Sequence, residues 1–170
     1  MVRFSLPDKD VFAINANANP PVETASFSGI GTVLFNMITN PDTGKLYVAN
    51  TEANNATRFE GHRPEEGEGS AYSTVQGNIH KTRITVIDTG SGTVIPRHLN
   101  KHINYDITPA PTGTKDHSLA IPQGLAITND GKILYVAAKG SGKIGVFETA
   151  ELEDNSFIPS SSNHINVTGG

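Results

Sequence analysis

The 170-residue chain contains no cysteine and no tryptophan, and it has no apolar run long enough to cross a membrane as a helix. The missing cysteines exclude disulfides, thiolate metal ligands and covalent haem attachment within these residues. A formal net charge of −4 offers no basic surface for nucleic acid or anionic lipid. We therefore expect no nucleic-acid partner and no membrane span, and the N-terminal residues lack the basic-then-apolar order of a secretory signal.

Turn-forming residues are abundant instead. The chain has 17 glycines and 10 prolines, and hydrophobic residues make up 36% of it. Such a density of turn formers disfavours a helical bundle, because each helix would be interrupted after a few residues. The composition predicts an all-β protein built from many short strands.

One segment of the sequence occurs twice. Residues 36–50, NMITNPDTGKLYVAN, return as residues 124–138, GLAITNDGKILYVAA. Both copies place Asp and Gly between two apolar runs, which is a strong signal for a tight hairpin. The sequence therefore predicts two equivalent strand-turn-strand units.

A second repeated piece is a short β run ending in a polar residue. It occurs at 11–15, 84–88 and 144–148, and a further predicted strand follows each copy, at 22–27, 93–99 and 164–167. We expect residues 1–28 to form strands two to four of a first propeller blade, 29–120 a second blade with two long insertions, and 121–170 a third. Because closed propellers carry about four to eight blades, this interpretation predicts a fragment of a larger ring.

The stretches NPDTGKLYVAN and NDGKILYVAAKGSGKIGVFET resemble the YVTN-type β-propeller repeat of bacterial and archaeal surface-layer-like and periplasmic proteins. The chain also resembles large bacterial propeller proteins that in many cases continue into a c-type cytochrome domain. This resemblance implies a partial β-propeller of four-stranded antiparallel blades, an extracytoplasmic location and a redox domain as a neighbour in some members. It supplies no catalytic residue, and no Cys-x-x-Cys-His motif occurs here.

Propeller geometry predicts where the candidate site residues lie. Alternate connections of a blade share one face, so the insertion at 51–82 and the crossover at 100–120 lie together, with loops suited to binding on a rigid scaffold. Five of the six histidines fall in or beside them, namely His62, His80, His98, His102 and His117. We predict ligand contacts from Glu52, His80 and His102 on this face, and from Asn36 and Gln123 at the start of the innermost strands, facing the central channel.

A divalent metal is an alternative for these loops. Histidine with Glu52, Glu65, Glu66 or Glu68 offers the ligand types of zinc, and Asn54, Asn55 and the Asn40–Asp42 turn offer oxygen ligands for calcium. The spacing matches no metal motif, and the aspartates at positions 42 and 130 are explained as turn formers. We expect no cofactor within this chain and keep a divalent metal as the alternative.

The function that these patterns favour is a non-catalytic scaffold or binding segment of a larger extracytoplasmic protein. Two alternatives remain open: a propeller hydrolase or lactonase with a divalent metal in the channel, and a propeller partner of a c-type cytochrome redox domain. The expected partners are the remaining blades of a parent protein, or a second copy, joined through exposed strand edges. A protein or small-molecule ligand on the inserted-loop face is a further possibility.

Overall fold

A computed structural model describes residues 8–55, 75, 78–107 and 109–167, which form ten β-strands and one short helix. The strands are β1 Val11–Asn15, β2 Val22–Phe27, β3 Val33–Thr39, β4 Leu46–Ala53, β5 His80–Asp88, β6 Thr93–His98, β7 Pro122–Ile127, β8 Ile133–Ala138, β9 Lys143–Glu148 and β10 His164–Asn166. Helix α1 spans Thr149–Asp154. None of the described helices is long and apolar enough to span a membrane.

The strands form three antiparallel sheets in chain order: β1–β2, β3–β4–β5–β6 and β7–β8–β9–β10. This confirms the predicted all-β fold, and the second and third sheets have the four antiparallel strands of the predicted blades. The predicted segment boundaries at 28 and 120 fall in connections between sheets. The strand predicted before β1, strand two of the first blade, falls at the start of the chain, where residues 1–7 lie outside the described residues.

The hairpins form where turn chemistry predicted them. At the β7–β8 turn, Gly131 has a φ of 70°, a conformation that residues with a Cβ atom rarely adopt. The Asp130 carboxylate accepts hydrogen bonds from the Thr128 hydroxyl at 2.6 Å and from the Lys132 amide at 3.2 Å. In the β5–β6 turn, the Asp88 carboxylate likewise accepts from two backbone amides. Hydrogen bonds within each hairpin therefore close these turns.

The middle sheet is buried on both faces, because successive residues of a strand point to opposite sides. On β4, Tyr47 and Ala49 are fully buried in a cluster with Val136 and Phe147 of the third sheet. Val48, between them in sequence, is fully buried in a second cluster that contains residues of the first sheet. Full burial of an aliphatic or aromatic side chain contributes about 1.5–3 kcal/mol, so the two clusters join the sheets face to face.

Hydrogen bonds and an ion pair also hold the second sheet against the third. The Asn40 side-chain amide donates to the Gly131 carbonyl at 2.9 Å and to the Tyr47 oxygen at 3.0 Å. The Tyr47 hydroxyl donates to Glu153 of α1, which also pairs with Lys45. Burial raises the pKa of Tyr47 well above its ordinary value, and the neighbouring Glu153 raises it further. The phenol therefore stays protonated and keeps α1 against β4.

Replacing Asn40 with alanine should lower the free energy of unfolding by about 1–3 kcal/mol, because buried partners lose their hydrogen bonds. Its side chain also accepts from the amides of Asp42 and Thr43. The matched control is Thr128→Ala, at the equivalent hairpin position, whose side chain bonds only within its own hairpin. The Thr128→Ala variant should lower the free energy of unfolding by less than about 1 kcal/mol, measured by urea denaturation. Equal losses would contradict the role of Asn40 between the sheets.

Candidate functional site

One end of the stacked sheets carries the long connections, and we call it the loop face. It comprises the crossovers 28–32 and 99–121, the β4–β5 insertion 54–79 and the β8–β9 connection 139–142. These segments share one end because neighbouring strands are antiparallel, so alternate connections return to the same side. Residues 56–74, 76–77 and 108, with the predicted metal ligands Glu65, Glu66 and Glu68 and with His62, lie outside the described residues.

Glu52, one of the predicted site residues, is paired with an arginine that the sequence analysis did not single out. The Arg83 Nη2 atom donates to Glu52 Oε2 at 3.1 Å and to the Ile30 carbonyl at 2.8 Å, and its Nε atom donates to Asn50 Oδ1 at 3.3 Å. Burial lowers the pKa of Arg83, whereas the Glu52 carboxylate raises it. Arg83 therefore stays charged and ties the end of the middle sheet to the crossover at 28–32.

Asn50 and Thr85 extend this network into the interior. The Asn50 amide donates to Thr85 Oγ1 at 2.8 Å, and the Thr85 hydroxyl donates to the Ile30 carbonyl at 2.9 Å. A Cβ atom at Gly31 would lie 2.5 Å from Asn50 Oδ1, so only glycine fits there. The repeat contained the signal for this network, since Asn50 stands where the second copy has Ala138.

Glu52 and His80, predicted to act on the same loop face, do not come together. In the β4–β5 register Glu52 is opposite Lys81, and Ala53 is opposite His80. Because adjacent residues of a strand point to opposite sides, the two side chains lie on opposite faces of the middle sheet. His80 is exposed.

A histidine and a tyrosine form a closed pair on the Glu52 side of this sheet. His98 is opposite Arg83 in the register, its Nδ1 atom lies 3.1 Å from the Thr82 carbonyl, and its Nε2 atom lies 3.2 Å from the Tyr105 hydroxyl. The carbonyl requires a proton on Nδ1, so Nε2 accepts from the tyrosine. Burial lowers the pKa of His98 and raises that of Tyr105. Both groups are therefore neutral near pH 7 and hold the start of the crossover.

His102 lies in the 99–121 crossover beside other histidines. Its Nε2 atom is 3.2 Å from the Thr114 carbonyl and 3.2 Å from the Ser118 hydroxyl, and its ring centroid is 6.0 Å from that of His117. The Nδ1 atoms of His102 and His164 are buried without a hydrogen-bond partner. Across the described ranges, no group of three or more His, Asp or Glu side chains is arranged to hold a metal ion. The bonds that His102 makes organise the crossover itself.

Asn36 and Gln123 occupy β3 and β7, which contact each other as the edge strands of adjacent sheets. Asn36 is exposed, and its Oδ1 atom accepts from the amide of Met37 at 2.8 Å. Gln123 is half-buried where the β7–β8 register shifts between Pro122 and Gly124. The equivalent shift in β3 occurs at Phe35, so Asn36 and Gln123 are not equivalent positions. Their contact with a ligand in a central channel stays a prediction.

A cavity of about 340 Å³ lies beside β9, at the lower end of the volumes that small ligands occupy. Its lining includes apolar Phe147 and Phe157 and polar Glu148, Glu151 and His164. None of the five predicted site residues contributes to this lining. No pattern in the sequence indicated the cavity, because it forms between segments far apart in the chain.

No protein-family profile matches this sequence, and no curated protein sequence matches it. Among solved structures, the chain is similar to a hydrazine synthase from Kuenenia stuttgartiensis, with a TM-score of 0.53 and 18% sequence identity over 82% of this chain. This chain spans 33% of the length of the hydrazine synthase chain. At this identity the likeness concerns the fold alone. Membership of the YVTN-type repeat proteins stays a prediction.

Replacing Arg83 with methionine should lower the free energy of unfolding by about 1–3 kcal/mol, because the buried Asn50 amide oxygen loses the donor of Arg83 and the Ile30 carbonyl keeps only that of Thr85. Glu52→Gln should cost less than about 1 kcal/mol, since the Glu52 side chain is 41% exposed and its charge is screened by water. Urea denaturation at neutral pH measures both changes.

The matched control is Lys132→Met, which removes an exposed ion pair with Asp130 and should cost less than about 0.5 kcal/mol. An Arg83→Met variant as stable as this control would show that the Arg83 network does not hold the crossover.

Proposed function

We propose that this chain is a non-catalytic β-propeller scaffold within a larger extracytoplasmic protein, and that its loop face binds a partner. The observation that carries the proposal is the use of polar side chains on that face. Arg83 with Glu52, His98 with Tyr105, and His102 with its crossover each bond to nearby backbone or to one another. Groups used in this way support loops and do not converge on a reacting substrate.

The insertion between β4 and β5 supports the same proposal, because hydrogen bonds join its two ends where they leave the sheet. The Asn54 amide donates to the Ile79 carbonyl at 2.9 Å, and the Asn54 side chain donates to the Asn78 carbonyl at 3.2 Å. The equivalent connection between β8 and β9 needs only residues 139–142. An insertion that the sheet does not need for its own closure is a suitable carrier of binding contacts.

The larger protein and its location are supported by less direct observations. The region of the hydrazine synthase chain to which this chain is similar makes up 33% of that longer chain. The extracytoplasmic location is supported by the resemblance of the repeats to surface-layer-like and periplasmic proteins. A hydrolase with a metal on the loop face is less favoured, because Glu52 is bonded to Arg83 and His80 lies on the other face of the middle sheet.

The scaffold role predicts that the insertion can be removed without loss of the fold. Residues 54–79 are replaced by Lys-Gly-Ser-Gly, the sequence that joins β8 to β9. The variant should keep its far-UV circular dichroism, and its Tm should change by less than about 4 °C, the shift that about 1 kcal/mol causes in a domain of this size. Loss of the cooperative transition would contradict the role of the insertion as a carried loop.

A separate assay on the intact chain tests the non-catalytic part of the proposal. The intact chain is dialysed against calcium or zinc, its metal content is measured by mass spectrometry, and hydrolysis of a panel of lactones is followed. We expect no stoichiometric metal and no turnover above the buffer rate. A stoichiometric metal with turnover that disappears in Glu52→Gln would overturn the proposal in favour of a metal-dependent hydrolase.

A further inference from the structure

One wall of the cavity beside β9 is the segment from Ile158 to His164, which we call the strap. Residues of the strap line the cavity together with Leu119 and Phe147, which are 1% and 8% exposed. The strap begins after Phe157, whose ring lies edge-to-face with that of Phe147, with the centroids 5.5 Å apart. It ends in β10, which pairs with β9. Both ends are therefore fixed, and the position of the middle depends on its own contacts.

A histidine of the crossover 99–121 holds the middle of the strap. The Ser161 amide donates to the Nδ1 atom of His117 at 3.0 Å, so this nitrogen carries no proton. Ser160 and Ser162 bond to each other within the strap at 2.8 Å. A proton on Nδ1 of His117 would remove the bond from Ser161, because a protonated ring nitrogen is a donor. This link between the strap and the crossover therefore requires a neutral His117.

Two further histidines belong to the same group, and neither has a place for a second ring proton. The ring centroid of His102 is 6.0 Å from that of His117. The Nδ1 atoms of His102 and His164 are buried without a hydrogen-bond partner in the part of the chain that the structure describes. A charged imidazole carries a proton on both nitrogens, so each of these atoms would become a buried donor without an acceptor. The surroundings therefore favour the neutral rings.

The charges that act on His164 are positive. The Lys143 ammonium group donates to the Asp116 carbonyl at 3.0 Å, which fixes it beside the crossover. Burial lowers the pKa of His164, and the charge of Lys143 lowers it further. Protonated His117 and His102 act in the same direction, whereas a hydrogen bond with the Asp116 backbone raises this pKa. The strap has no Asp, Glu, Lys or Arg. The other ionisable side chains of the crossover and of the cavity lining are Lys101, Tyr105, Asp106, Lys115, Asp116, Glu148 and Glu151.

From this arrangement we infer that the strap is an acid-sensitive wall of the cavity, attached to the crossover while His117 and His164 are neutral and released when they are protonated. The inference goes beyond the proposed scaffold role and does not depend on it. Because folding lowers the pKa of His164, the closed form binds fewer protons than the open form. The closed form is therefore fully stable above the ordinary histidine pKa of about 6.5 and loses stability as the pH falls below it.

Amide hydrogen exchange in the intact chain tests the release. It is followed by NMR at about pH 7.5 and about pH 5, on either side of the histidine range, and corrected for the intrinsic effect of pH on exchange. The protection of the Ser161 amide should fall about tenfold for each unit by which the closed form lowers a histidine pKa. The Leu119 amide, which donates to Asn100 Oδ1 at 2.8 Å, should keep its protection. Unchanged protection of Ser161 at the lower pH, or an equal loss at Leu119, would overturn the inference.

Two substitutions remove the titrating groups and keep neutral polar side chains. His117→Asn places an amide oxygen where Nδ1 accepts from Ser161, and His164→Gln replaces the ring of the strap. The double variant should retain the protection of Ser161 at about pH 5. The control His80→Gln removes an exposed histidine outside the strap and the crossover, and it should lose protection as the unmodified chain does. If the double variant does not fold, His117→Asn alone is compared, and it should keep more protection than the unmodified chain. Protection lost to the same extent with and without the histidines would contradict their role.

Opening of the cavity is measured separately with the dye anilinonaphthalene sulfonate, which fluoresces on exposed apolar surface. Between about pH 7.5 and about pH 5 the fluorescence should rise in the unmodified chain and in His80→Gln, but not in the double variant. Comparison of variants at one pH removes the effect of pH on the dye itself. An equal rise in the double variant would overturn the opening of the cavity. Replacement of residues 54–79 tests the scaffold role without altering the strap, so the two proposals can fail separately.

Discussion

The structure depends on one constraint: its central strands are apolar on both faces, so each sheet must be covered on two sides. Val48 contacts the first sheet while Tyr47 and Ala49 contact the third. Sheets of this kind cannot stand alone in water, because an uncovered face exposes side chains worth about 1.5–3 kcal/mol each when buried. Stacking of sheets in a row, as in a propeller arc, covers both faces of the middle sheet. The first and third sheets are each covered on one face by the middle sheet.

Polar side chains add hydrogen bonds to the contacts between the apolar sheet faces. Asn40, Tyr47 and Glu153 fix the second sheet against the third at the hairpin end, and Arg83, Asn50 and Thr85 fix the crossover at the loop end. Each network satisfies backbone groups that would otherwise be buried without partners. The same use of polar groups is the basis of our proposal that the loop face is a binding surface.

Strand positions were predictable from the sequence because hairpin turns depend on neighbouring residues, as at Asp130 and Gly131. The site was not predictable to the same extent. The bond from Arg83 to the Ile30 carbonyl joins residues 53 apart, and the separation of Glu52 from His80 depends on strand register. The repeat did contain a partial signal for the Arg83 network, since Asn50 stands where the second copy has Ala138.

Chemical modification of the tyrosines tests the stacked-sheet account most directly. Nitration of the folded chain is followed by peptide mass spectrometry. The account predicts that Tyr47, with 0% exposure, stays unmodified, and that the half-buried Tyr135 is modified. Nitration of Tyr47 in the folded chain as fast as that of Tyr135 would contradict the account, because the second sheet would then lack its cover.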